Sequence, residues 1–148
     1  MHAVQTQQPF DLQPPVNSGQ HFTPRHGAAG LRWLFGNRER WGLTMDDLGV
    51  LLGGFGRRTL THWQRKVQQQ DEIELSRDVM ERISLLLGIH KALTLITPDG
   101  HEDLAWEWFQ KPVDLMGLQG QSIRDYLIRQ GSMDALYYIR RNLDAMRG

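Results

Sequence analysis

The sequence predicts an all-α fold, and three observations carry that expectation. Apolar residues recur at spacings of three and four along most of the chain after residue 27. Ser, Thr and Asp residues stand just ahead of those runs, where helix caps belong. No stretch of four or more residues alternates apolar and polar side chains as a half-buried strand would.

Each element can be justified in order. Residues 1–27, with four prolines, five glutamines and no periodicity, read as a disordered arm. Its His21 and His26 stand as half a metal site at most, and two tail histidines read more simply as solvated. A first helix is expected from Ala28 to Trp41, with Leu31, Leu34 and Phe35 on one face and Gly42 as its stop. Thr44 caps the next, with Asp47 three residues on completing a capping box and Leu43 and Leu48 at the staple positions. Asp46 and Asp47 also suit the positive end of the helix dipole. A Gly53-Gly54-Phe55-Gly56 turn leads to a third helix from about Arg57 to Gln68.

An amphipathic helix from Ser76 to about Leu95 carries Val79, Met80, Ile83, Leu86, Leu87 and Leu93 as its stripe. Asp99 and Glu102 form a second capping-box pattern before DLAWEWFQ, which ends ahead of Pro112. Ser122 and Asp125 repeat it before IRDYLIRQ, which Gly131 stops. Ser132 then caps a last helix with Leu136, Ile139, Leu143 and Met146 inward.

The chain has 17 basic and 17 acidic residues, yet the two signs are unevenly placed. Residues 1–70 carry eight Arg and Lys against four Asp and Glu, and residues 71–148 carry nine against thirteen. Such asymmetry suggests different partners for different faces. No apolar run approaches the roughly 18 residues of a membrane span, and no basic-then-apolar leader opens the chain. A cytoplasmic protein is expected.

The stretch LTMDDLGVLLGGFGRRTLTHWQRK (residues 43–66) has the layout of a helix-turn-helix unit. Such a unit needs a small residue where the second helix crosses the first and a glycine for positive φ in the turn. Gly49 and Gly53 meet both needs. With Leu60 and Trp63 inward, Arg57, Arg58, Thr59, Thr61, His62, Arg65 and Lys66 face outward. Arginine and lysine neutralise phosphates, and threonine, histidine and arginine reach base edges. No acid lies within residues 48–70. The competing reading is a solvated basic helix over a core tryptophan. Leu60 also falls one residue later than in the common repressor spacing, so the turn is longer.

This unit resembles the Xre-like helix-turn-helix of bacterial regulators. SRDVMERISLLLGIHKALTLITPDG (residues 76–100) resembles the linker helix of the Xre/MbcA/ParS antitoxins. LAWEWFQKPVDLMGLQGQSIRDYLIRQGSMDALYYIRRNL (residues 104–143) resembles their toxin-binding domain. Two positions depart from that pattern. Ile123 follows the Ser122 cap where proline is frequent, and Trp108 is followed by Phe109 where an aliphatic is common.

The resemblance implies a helix-turn-helix bundle at 28–75, a linker and dimerisation helix at 76–98 and a small helical toxin-binding domain at 99–148. It further implies an antitoxin that blocks a partner toxin of the RES type, or alternatively a ParT-type ADP-ribosyltransferase, both acting on NAD. Such proteins repress their own operon by binding operator DNA, usually as homodimers. The alternative is a stand-alone repressor with no toxin. A protein-binding module whose basic helix has lost DNA is a third reading.

For the toxin side the candidates are Trp108, Tyr137, Tyr138, Arg140, Arg141, Arg147 and Gly148. Tyr and Arg are enriched at interface hot spots, although tyrosines also fill cores and arginines also suit a helix C-terminus. Trp106 and Trp108 project to opposite sides of their helix, so at least one is a contact candidate. The Gly148 carboxylate beside Arg147 could occupy an anion site in a toxin pocket. An enzyme is not expected. There is no cysteine, no glycine-rich phosphate loop and no clustered set of metal ligands, so neither cofactor nor catalytic residue is assigned.

Overall fold

A computed structural model describes residues 24–147 of the chain. The arm expected over 1–27 lies outside the described residues except at 24–27, which are helical. Seven helices follow: α1 (Pro24–Asn37), α2 (Met45–Leu51), α3 (Arg57–Gln68), α4 (Arg77–Ile96), α5 (Leu104–Gln110), α6 (Ile123–Gln130) and α7 (Met133–Met146). A short 3-10 turn, Glu39–Trp41, separates α1 from α2. Among the described residues the only strand-like feature is an isolated antiparallel bridge between Pro112 and Ser122. The all-α expectation holds.

The first helix differs from its predicted span at both ends. It begins at Pro24, a residue whose fixed φ suits the first helical position. It ends at Asn37, whose side-chain amide donates to the Trp33 carbonyl at 2.9 Å. The 3-10 turn then drives Trp41 into the core, and Gly42 closes it at φ +69°.

Of the four caps expected, the Thr44–Asp47 box and the Ser132 cap form as expected, the Ser122–Asp125 box forms only on its serine side, and the Asp99–Glu102 box does not form. Thr44 and Asp47 form the reciprocal box, at 2.9 Å from Thr44 N to Asp47 Oδ2 and 3.0 Å from Asp47 N to Thr44 Oγ1. Ser76, Ser122 and Ser132 each accept from the backbone N–H three residues on. At the Asp99–Glu102 site α5 starts only at Leu104, its cap residue Asp103 makes no side-chain cap bond, and Glu102 instead accepts from Gly100 N at 3.2 Å. Asp125 turns to Arg124 at 3.1 Å rather than completing a box with Ser122.

The centre of the molecule is α4. All side chains from 83 to 89 are buried, so its middle is enclosed on every side rather than along one stripe. Leu85, Ile89 and Ala92 join the expected stripe in a core that draws on every helix. The close approach of α1 requires Gly30, where a Cβ would lie 2.5 Å from Ile83 Cγ2. Met146, expected inward, is 46% exposed, because α7 runs past the end of the core there.

Arg82 of α4 ties distant pieces together. Its guanidinium donates to the carbonyls of Leu51 at 3.3 Å and Gly131 at 3.2 Å, while Nε meets Asp78 Oδ2 at 3.0 Å. One side chain thus joins the end of α2 to the α6–α7 junction.

Candidate nucleic-acid interface

The surface is built from the turn outward. The Gly49 carbonyl accepts from both Gly54 N at 2.8 Å and Phe55 N at 3.1 Å, which folds residues 52–56 back under α2. Gly53 and Gly54 hold φ of +124° and +96°, a region L side chains avoid. Gly49 itself is buried, and a Cβ there would collide with the Phe55 carbonyl oxygen and lie 3.3 Å from Leu60 Cδ1. The small residue is therefore demanded by the returning turn first and by the following helix second.

That turn sets the rotation of α3. Leu60 is fully buried, Trp63 is half-buried with its ring 4.8 Å from that of Phe55, and Val67 is buried at the far end. Arg32 of α1 donates to the Val67 carbonyl at 3.2 Å and fixes the helix from behind. The opposite side is what remains for solvent. Arg57, Arg58, Thr61, His62 and Arg65 are exposed, and Thr59 and Lys66 are half-buried. Arg58, Thr59, Thr61, His62 and Arg65 line one open depression. Five of the seven side chains expected on the outward face thus share one depression, which Arg57 and Lys66 do not line.

Chemically this is a row of fixed cations interleaved with hydroxyl and imidazole groups. Such a row can hold phosphate oxygens through charge-assisted hydrogen bonds and offer shorter donors and acceptors to base edges. One acid touches it. Asp46 lies in the first turn of α2, as expected, and its Oδ2 is also 3.4 Å from Arg57 Nη2. Asp47 alone makes the cap.

The residues expected on the second, toxin-facing surface are less uniform. Arg141 and Arg147 are exposed, with Arg147 3.4 Å from Asp144. Trp108 is half-buried against the core. The Tyr137 hydroxyl donates to the Glu81 carboxylate on α4, a bond that lifts the phenol to about 12, burial and the Glu81 charge adding to it. The Tyr138 hydroxyl donates to the Met116 carbonyl. Arg140 corrects the expectation: it is buried at 6% exposure, with Nε 3.0 Å from Asp144 Oδ2. Its position beside Ile139 falls within a buried face wider than the predicted stripe. Gly148 lies outside the described residues.

A third feature was not visible in the sequence. Trp33 stacks on Trp106 at 5.9 Å, Trp41 on Phe109 at 4.4 Å, and His90 packs 4.2 Å from the Trp106 ring. The Arg40 guanidinium covers Trp106 at 4.4 Å from its centroid. Burial among these rings, with the Arg40 charge adding, pushes the His90 imidazole down to about 4. Trp106 and Trp108, expected to differ in burial because they project to opposite sides of α5, are both half-buried.

No helix among the described residues is long and apolar enough to cross a membrane. Nor do three or more His, Asp or Glu side chains gather there with the geometry to hold a metal ion. A protein of Sinorhizobium fredii (strain NBRC 101917 / NGR234), described as uncharacterized protein y4oB, is 35% identical over 120 residues. The match spans 81% of this chain and 85% of that protein. No family model and no solved structure matches the chain.

Proposed function

For this chain, which belongs to the family of the Sinorhizobium fredii protein y4oB, we propose a DNA-binding antitoxin of the Xre/MbcA/ParS kind. In this reading α2 and α3 form a helix-turn-helix, and α3 is the recognition helix that enters the major groove of operator DNA. The helices from α5 to α7 hold a RES-type, NAD-consuming toxin, with a ParT-type toxin as the alternative. The working form is a cytoplasmic homodimer without enzymatic activity.

The observation that carries the proposal is the outward row from Arg57 to Lys66. Its orientation follows from the buried Leu60 and Val67 and from the Gly53-Gly54 turn that precedes α3. The toxin half rests on sequence resemblance, supported by the exposed Arg141 and Arg147 and the half-buried Trp108.

Co-expression with the neighbouring reading frame tests it, with growth, NAD level and co-elution as readouts. Rescue of growth with a stable complex is the expected result. A harmless neighbour that does not co-elute would leave a stand-alone repressor. That second reading draws on Tyr137, Tyr138 and Arg140, whose polar groups are already engaged within the chain.

A further inference from the structure

We propose that Asp46 is a built-in competitor for phosphate at Arg57 and lowers the affinity of α3 for DNA of any sequence. The inference rests on the DNA-binding reading of α3 and adds a regulating residue to it. Asp46 sits on the first turn of α2, across the glycine turn from α3, and its carboxylate reaches Arg57 at 3.4 Å. In the first turn of α2 it suits the helix dipole, but its carboxylate is not needed for the cap, because Thr44 and Asp47 already close both bonds of the box and leave it able to reach Arg57. Among the described residues it is the acid that pairs with an α3 cation.

The two side chains are 67% and 71% exposed, so an incoming phosphate can reach both. An exposed ion pair in water is held weakly, so the Asp46 carboxylate can give way to a phosphate oxygen that accepts a charge-assisted bond from the same guanidinium. Binding therefore exchanges one anion for another at Arg57, and the displaced Asp46 charge remains close to the DNA backbone. Both effects reduce the gain from counterion release relative to a free arginine. The result is a recognition helix whose affinity for duplex DNA is reduced about uniformly across sequences.

The test uses the full chain and a mixed-sequence duplex DNA, titrated over a range of salt. Asp46→Asn and Asp46→Ala should each tighten binding about three- to tenfold and steepen the log–log salt slope by up to about 0.9, one phosphate contact. In an Arg57→Ala background the same Asp46 changes should produce less than half of that gain. The urea midpoint should fall only slightly, by the loss of one first-turn acid from the helix dipole, since the Thr44–Asp47 cap is untouched. Unchanged affinity in both Asp46 variants would overturn the inference while leaving the DNA reading intact. An equal gain with and without Arg57 would also overturn it, by showing a diffuse charge effect with no competition at that side chain. Absence of duplex binding by the folded wild type and both variants, even at low salt, would remove the DNA reading and this inference with it.

Discussion

Gly49 and Phe55 are packed so closely that a Cβ on the first would collide with the carbonyl oxygen of the second. The same Gly49 offers its own carbonyl to Phe55 N at 3.1 Å, so the turn is pinned against α2 from both directions. Gly49→Ala should destabilise the protein by about 2–3 kcal/mol, because the obstacle is backbone and cannot rotate aside. Gly54→Ala provides the contrast. Its Cβ meets nothing within 4 Å, and only the φ of +96° opposes it, for a cost of about 1 kcal/mol. Urea denaturation of the two variants reads the difference directly.

Arg82 should matter more than its place on a charged helix turn suggests. Arg82→Met keeps the aliphatic stem but leaves the Leu51 and Gly131 carbonyls without this donor. A loss of about 2–3 kcal/mol is expected. Amide hydrogen exchange should accelerate at the α6–α7 junction and at the end of α2 together. Acceleration at only one of them would mean that Arg82 does not couple the two.

His90 sets an acid limit. Its folded pKa of about 4 lies below the ordinary 6.5, so between these values the unfolded chain binds more protons than the folded one. Stability from the neutral imidazole is full above about 6.5 and falls as pH drops toward 4. His90→Gln removes that titration, so its denaturation midpoint should vary less over the same range. Thermal or urea midpoints at several pH values between 4 and 7 check the sign.

Features that depend on neighbours in the chain were legible from the sequence. The Thr44–Asp47 box, the serine caps at 122 and 132, the glycine turn and the inward Leu60 all rest on spacings of a few residues. The outward face of α3 follows from the same periodicity, and five of its seven side chains are exposed, with Thr59 and Lys66 half-buried. What escaped depends on distant partners. Arg82 meets carbonyls 31 and 49 positions away. The ring cluster gathers Trp33, Trp41, His90 and Trp106 from α1, the 3-10 turn, α4 and α5. Arg140 was misplaced because a stripe drawn through Leu136, Ile139 and Leu143 does not show how far α7 is wrapped by its neighbours. Asp99 and Glu102 fit a cap pattern that the chain satisfies otherwise, by a turn ahead of α5.

The second surface divides into side chains that are free to meet a partner and side chains already bonded. If the proposed toxin partner binds this surface, Arg141→Ala should weaken its binding about tenfold, within the range of an interface arginine. Tyr137→Phe should leave the complex intact and lower stability, since it removes the bond to Glu81. Pull-down titrations alongside urea curves separate the two effects.

The most direct test of the central claim is the salt dependence of duplex binding by wild type, Arg58→Ala and Arg65→Ala. If α3 is the recognition helix, wild-type affinity falls steeply with salt. Each substitution then weakens binding and reduces the log–log slope by about 0.9, one phosphate contact. Wild-type binding whose affinity and slope are the same in both variants would place the DNA elsewhere and contradict the account.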